Sequence, residues 1–235
     1  MKDSNLNINN KLKVEKSSTL SPQLLIQIQY ISQGETIATH LQNIELVCKA
    51  GCRWVQLRLK NVSLIEYLNA AQKCRAICDT YEAIFIVNDN VGIASEAKAD
   101  GVHLGLTDTN PKKARKQLGD NVIIGGTANT LEDCVQHIKN GVDYIGLGPF
   151  RFTTTKNKLS PILGLEGYKK IVSELFEQGY KIPVIAIGGI KLEDINNLSK
   201  TGIGGIAVSG LLSGLSIEEL ENRVRKMNFD PTNKE

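Results

Sequence analysis

Short apolar runs alternate along the chain with longer stretches in which apolar positions recur every three to four residues. The first pattern is that of buried strands and the second that of helices with one apolar face. LLIQI at 24–28 predicts a first strand, and residues 36–49 a helix. WVQLRLK (54–60) predicts the second strand with a helix over 64–78, and AIFIVND (83–89) the third with a short helix over 93–98. GVHLG (101–105) is followed by Pro111, which suits a first helical position, and a helix over 112–118. NVIIGG (121–126) precedes a helix over 131–139, with Thr130 as its N-cap and Gly141 as its stop. DYIGLG (143–148), PVIAIGG (183–189) and GGIAVSG (204–210) complete the strands, with helices over 167–177, 192–198 and 218–227.

Eight strand-plus-helix units with strands of about five residues predict an α/β fold, a single (β/α)8 TIM barrel, rather than an open doubly wound sheet. No G-x-G-x-x-G follows the first strand, which argues against a dinucleotide fold. At 235 residues the chain has the length of one such domain. Residues 1–21, rich in Asn, Lys and Ser, read as a disordered N-terminal extension; 22–229 form the barrel and 230–235 a C-terminal tail.

Charge narrows the function classes. A net +3 from 28 basic and 25 acidic residues, scattered along the chain, gives no reason to expect nucleic acid. No apolar run is long enough to span a bilayer and no secretory h-region opens the chain, so neither membrane partner nor export is expected, and the cytoplasm follows. Five cysteines, with no C-x-x-C and no histidine at ligand spacing, carry no assigned chemistry. Cys48/Cys52 and Cys74/Cys78 fall at helical i,i+4 spacing and read as small buried apolar residues.

A barrel places its chemistry at the C-terminal ends of the strands. In WVQLRLK the alternation puts Val55, Leu57 and Leu59 on the face under the helices, and Gln56, Arg58 and Lys60 on the face toward the barrel mouth. An internal salt-bridge layer is the bland reading; an anion-binding wall, with Arg as a fork and Lys as a point charge, is the preferred one. Asp89 and Asp108 lie one strand-and-helix step apart, so adjacent strand ends can bring both carboxylates together in an oxygen-only set that suits Mg2+ completed by substrate phosphates. Taken alone, Asp108 reads equally well as a turn or cap residue before Pro111. Gly188-Gly189 and Val208-Ser209-Gly210 end strands seven and eight, where barrels commonly hold phosphate on main-chain N–H groups. The stretch GPFRFTTTKNK (148–158) adds three threonines and a lysine, hydroxyls and a cation suited to an anion with several oxygens.

Together these segments resemble the thiamine-phosphate synthase family over about 24–227. QLRLK (56–60) is similar to that family's Q-x-R-x-K strand, and IVNDN with EAKADGVHLG (96–105) to its N-D and A-D-G-V-H-L-G segments. GPF with TTTK (153–156) is similar to its G-P-x-x-x-T-x-T-K loop, and PVIAIGGI (183–190) to its seventh strand. The resemblance implies condensation of 4-amino-2-methyl-5-hydroxymethylpyrimidine diphosphate with a thiazole phosphate, giving thiamine phosphate and pyrophosphate. It further implies that Gln56, Arg58, Lys60, Asn88, Thr127 and Lys156 meet the pyrimidine diphosphate, with Arg58, Lys60 and Lys156 as the catalytic cations. Asp89 and Asp108 would hold Mg2+. Thr153, Thr155, Gly189, Val208 and Ser209 would bind the thiazole phosphate. Small molecules are the implied partners, and homo-oligomerisation is left open.

The chain departs from the family's pattern in four places. Leu59 stands where Glu is usual, on the face away from the mouth. Asn90 replaces a second Asp, Thr127 a Ser, and Asn129 a His. His103 is retained and reads as structural. Three rivals remain: a thiazole tautomerase, whose proton transfer needs a titratable group near Asn129; a non-catalytic sensor of thiamine phosphate or a precursor; and a phosphosugar isomerase, suggested by the fold alone.

Overall fold

The computed structural model describes residues 27–152 and 161–227. The eight strands are β1 (Gln27–Ile31), β2 (Trp54–Leu57), β3 (Ile84–Asn88), β4 (Gly101–Leu104), β5 (Ile123–Ala128), β6 (Tyr144–Leu147), β7 (Val184–Ile187) and β8 (Gly205–Val208). Each pairs in parallel with its neighbour in sequence, and β8 closes on β1. Between and after them run α1 (Ile37–Lys49), α2 (Leu64–Thr80), α3 (Val91–Glu96), α4 (Pro111–Leu118), α5 (Leu131–Lys139), α6 (Gly164–Glu177), α7 (Ile195–Ser199) and α8 (Ile217–Met227). The (β/α)8 barrel is therefore present as expected. Among the described residues no helix is long and apolar enough to cross a membrane.

Local sequence sets the helix ends. Ser63 and Glu66 form a reciprocal capping box at α2, and Thr130 and Asp133 another at α5, satisfying N–H groups that a helix start leaves unpaired. Pro111 opens α4 without the loss of a helical hydrogen bond.

Several boundaries shift. β1 runs on to Ile31, past the 24–28 run, whose residues 24–26 fall outside the described residues, as do the proposed extension 1–21 and tail 230–235. β2 ends at Leu57, so Arg58 and Lys60 lie beyond the strand. β5 runs on to Ala128 because Thr127 and Ala128 still pair with Gly146 and Leu147 of β6, so Thr127 is a strand residue rather than a loop residue. Cys52 lies past the end of α1, so the helical pairing with Cys48 does not hold, although all five cysteines are free and buried as expected.

Two apolar layers hold the fold. The outer one packs the helices on outward strand residues such as Val55, Leu57, Phe85, Val87, Val102 and Leu104, and Leu59 joins it beyond the end of β2. Each fully buried aliphatic or aromatic side chain there contributes about 1.5–3 kcal/mol. The inner layer fills the barrel with Trp54, Ile86, Ile123, Tyr144, Ile185 and Ala207. Trp54 and Tyr144 meet edge to face, ring centroids 5.0 Å apart. Gly125 makes room for this packing, since a β-carbon there would lie 2.2 Å from Tyr144 Cζ and 2.5 Å from His103 Nδ1, in a strand where neither neighbour can retreat. Gly125→Ala is expected to destabilise the fold by about 1–3 kcal/mol through overpacking, read as a lower urea midpoint at unchanged m-value.

Candidate active site

Above the apolar filling, the barrel interior turns polar. Gln56 is 2 % exposed and donates to Gln29 Oε1 at 3.4 Å. Gln29 donates to the Tyr144 hydroxyl at 3.2 Å, which meets His103 Nδ1 at 2.9 Å, and His103 Nε2 meets Thr127 Oγ1 at 2.9 Å. A hydrogen-bonded chain thus runs from β2 to β5 through side chains that burial would otherwise leave unsatisfied. Gln56, Thr127 and His103 were readable from the sequence, whereas Gln29 and Tyr144 were not singled out. The only signal for Gln29 is a polar residue inside an apolar strand, and a tyrosine at a strand start looks like ordinary core. Asn88, 6 % exposed, ends β3 opposite His103 in the ladder.

The strand ends carry the charges. The three polar residues of 56–60 rise through the barrel in order, with Gln56 buried within it, Arg58 half-buried and Lys60 exposed. The Arg58 main chain is held by its N–H donating to Ser32 Oγ at 2.9 Å. Lys60 forms an ion pair with Asp89. Asp89 leaves β3 with φ 65°, a left-handed conformation uncommon outside glycine and tolerated best by Asp and Asn. Its N–H donates to His103 O at 2.8 Å, which ties the turn to β4. Asn90, where a second Asp is usual, caps α3 by accepting from Ile93 N–H at 2.9 Å, so this departure serves the helix start. Asn129 donates its side-chain N–H to Gly148 O, bracing the start of the loop after β6.

Asp108 Oδ2 accepts from Gly105 N–H at 2.6 Å. Its carboxyl is pushed above the ordinary range chiefly by burial; the Gly105 hydrogen bond opposes this, and the Asp89 carboxylate beside it adds to it. The sequence-predicted pair therefore does converge, and the cost of holding two carboxylates together is what a cation would remove. Among the described residues no cluster of three or more His, Cys, Asp or Glu could form a protein cage for a metal. Two carboxylates beside a mouth open to phosphate oxygens fit Mg2+, which keeps waters and substrate oxygens in its shell.

The raised affinity of Asp108 for its proton has a sign. The native protein holds more protons than the unfolded chain as pH rises from about 4, so stability is lost as Asp108 ionises. Asp108→Asn keeps an acceptor for Gly105 and removes the repulsion. In EDTA at pH 7 its thermal midpoint is expected to exceed that of the wild type, with the difference closing below about pH 4.

Gly188 and Gly189 follow β7 with φ 96° and 68°, a turn other residues adopt only with strain. Val208 ends β8 with its side chain in the outer layer, leaving its main chain for the mouth, and Ser209 Oγ donates to Gln33 Oε1 at 3.0 Å. Thr153, Thr155 and Lys156 lie outside the described residues.

Cations, paired carboxylates and a glycine turn thus gather at the C-terminal ends of the parallel strands of a (β/α)8 barrel. The family model described as thiamine monophosphate synthase matches residues 28–212. Thiamine-phosphate synthase of Flavobacterium johnsoniae is 52 % identical over 80 % of this chain and 88 % of its own length. That of Bacteroides thetaiotaomicron is 44 % identical over 86 % and 96 %. The solved thiamine phosphate pyrophosphorylase from Pyrococcus furiosus superposes with a TM-score of 0.75 at 30 % identity, covering 87 % of this chain and 96 % of that one. The chain belongs to the thiamine monophosphate synthase family. Its activity is that of a thiamine-phosphate synthase, a transferase.

Proposed function

We propose that the mouth divides between two phosphorylated substrates, with the convergence of Asp89 and Asp108 beside Lys60 as the observation that carries the reading. Gln56, Asn88 and Thr127 face the pyrimidine, Arg58, Lys60 and Lys156 its diphosphate, and Thr153, Thr155, Gly189, Val208 and Ser209 the thiazole phosphate. Asp89 and Asp108 hold Mg2+, which when bound offsets the charge of the departing pyrophosphate. The enzyme acts in the cytoplasm.

The bond between the pyrimidine methylene carbon and the diphosphate oxygen breaks, and the electron pair leaves with pyrophosphate. The aminopyrimidine ring delocalises the cation that develops. The thiazole nitrogen then supplies its lone pair to that carbon, and the positive charge ends on the thiazolium ring. No proton moves, so no general base is needed. Arg58, Lys60 and Lys156 face the leaving group as fixed charges that need no reorganisation. The glycine turn and the threonine loop hold the thiazole nitrogen near its target, a proximity contribution.

The tautomerase alternative lacks its acid-base group, because the Asn129 amide does not titrate and is engaged with Gly148. Incubating the protein with both substrates and Mg2+ is expected to yield thiamine phosphate and pyrophosphate in equal amounts, and neither product when one substrate is omitted. Binding of both substrates without product would overturn the enzyme in favour of a sensor.

A further inference from the structure

We infer that Arg151 is a positioning residue for the phosphate-binding turn after β7, acting on the thiazole phosphate through the main chain of Gly188 and Gly189. This rests on the assignment of that turn to the thiazole phosphate in the proposed function. Arg151 itself was not among the residues the sequence suggested.

The segment leaving β6 lies along the segment leaving β7. Phe150 N–H donates to Ile187 O at 2.9 Å, and Arg151 N–H donates to Gly188 O at 3.1 Å. The Arg151 guanidinium then reaches over the turn. Its Nη1 donates to Gly189 O at 2.7 Å, and Nη1 and Nη2 together grip the Asp194 carboxylate, with the Nη2 to Oδ1 contact at 2.9 Å. The guanidinium carbon lies 4.9 Å from the centre of the Phe150 ring, which fixes the plane of the fork from a second side. Asp194 also accepts from Lys191 N–H at 2.7 Å, so the fork joins both ends of the turn that carries Gly189. Partial burial disfavours the charged form of Asp194, but the Arg151 hydrogen bonds and the Lys191 N–H outweigh it and hold the carboxyl below its ordinary range.

Peptide geometry turns this clamp into a directing device. In a trans peptide the C=O and the following N–H point opposite ways. With Gly188 O directed at Arg151 N–H, the Gly189 N–H points away from the segment after β6. With Gly189 O directed at the guanidinium, the Ile190 N–H does the same. Neither N–H donates to an acceptor among the described residues. A phosphate on that side would meet two N–H groups whose directions are set by one arginine. The packing is close enough to demand glycine, since a β-carbon on Gly189 would lie 2.4 Å from Arg151 Cγ.

The test is steady-state kinetics with each substrate varied in turn. Arg151→Met is expected to raise KM for the thiazole phosphate about tenfold while KM for the pyrimidine diphosphate changes by less than about twofold. Arg151→Lys, a point charge without the fork, should recover only part of the loss. Asp194→Asn should shift the same KM in the same direction, and combining it with Arg151→Met should add little, because the two act as one unit. Should Arg151→Met fail to fold, the near-isosteric Asp194→Asn carries the same comparison. Equal changes in both KM values, or a lower thermal midpoint with neither KM changed, would overturn the positioning role. A wild type without turnover would instead remove the synthase reading on which it rests.

Discussion

Asp89→Asn is expected to lower the turnover number for thiamine phosphate formation by about 100- to 1,000-fold, the loss typical of removing one preorganised charge from a reacting centre. The choice of asparagine matters. Asp89 sits at φ 65°, where Asn is tolerated and Ala adds backbone strain, so Asn isolates the charge from the fold. The substitution removes one of the two oxygen ligands proposed for Mg2+ and also the ion-pair partner of Lys60. The remaining activity should require more Mg2+, and a circular dichroism spectrum matching the wild type should accompany the loss. Asp89→Ala is expected to lose at least as much activity and some stability as well. A variant with wild-type turnover at limiting Mg2+ would remove Asp89 from the metal site.

Arg58→Ala is the second large effect, again about 100- to 1,000-fold in kcat/KM for the pyrimidine diphosphate. Its main chain is anchored by the hydrogen bond to Ser32, which the substitution preserves, so the loss reads on the guanidinium. Arg58→Lys keeps the charge and loses the fork that matches two phosphate oxygens, and should recover only part of the rate. Full recovery by lysine would show that a point charge suffices. Initial rates at saturating thiazole phosphate separate these outcomes.

Much of this was legible because the pattern repeats. Each run of five to seven residues followed by a helical period marked one barrel unit, and the start of α5 is set by Thr130 and its capping partner Asp133. The alternation in 56–60 correctly sent Leu59 to the outer layer and Gln56 inward. Strand ends were harder to read. Sequence does not show when a ladder stops, so the β2 run extends three residues past the strand and the β5 run starts and ends two residues early, the late end because Thr127 and Ala128 find partners on β6. The left-handed turn at Asp89 left no mark that distinguishes it from an ordinary strand end. Contacts between residues far apart in the chain were the least visible. Gln29 with Tyr144 is separated by 115 positions, and Arg151 with Asp194 by 43, and neither pair has a local signature.

The proposed metal pair joins fold to chemistry, and its direct test is the initial rate of thiamine phosphate formation against free Mg2+ in protein first stripped with EDTA. The rate is expected to fall to background without Mg2+ and to return as Mg2+ is restored. Asp108→Asn should need a higher concentration to reach half its own maximum. A rate that is unchanged in EDTA, or a Mg2+ requirement identical in wild type and Asp108→Asn, would contradict a cation held by Asp89 and Asp108.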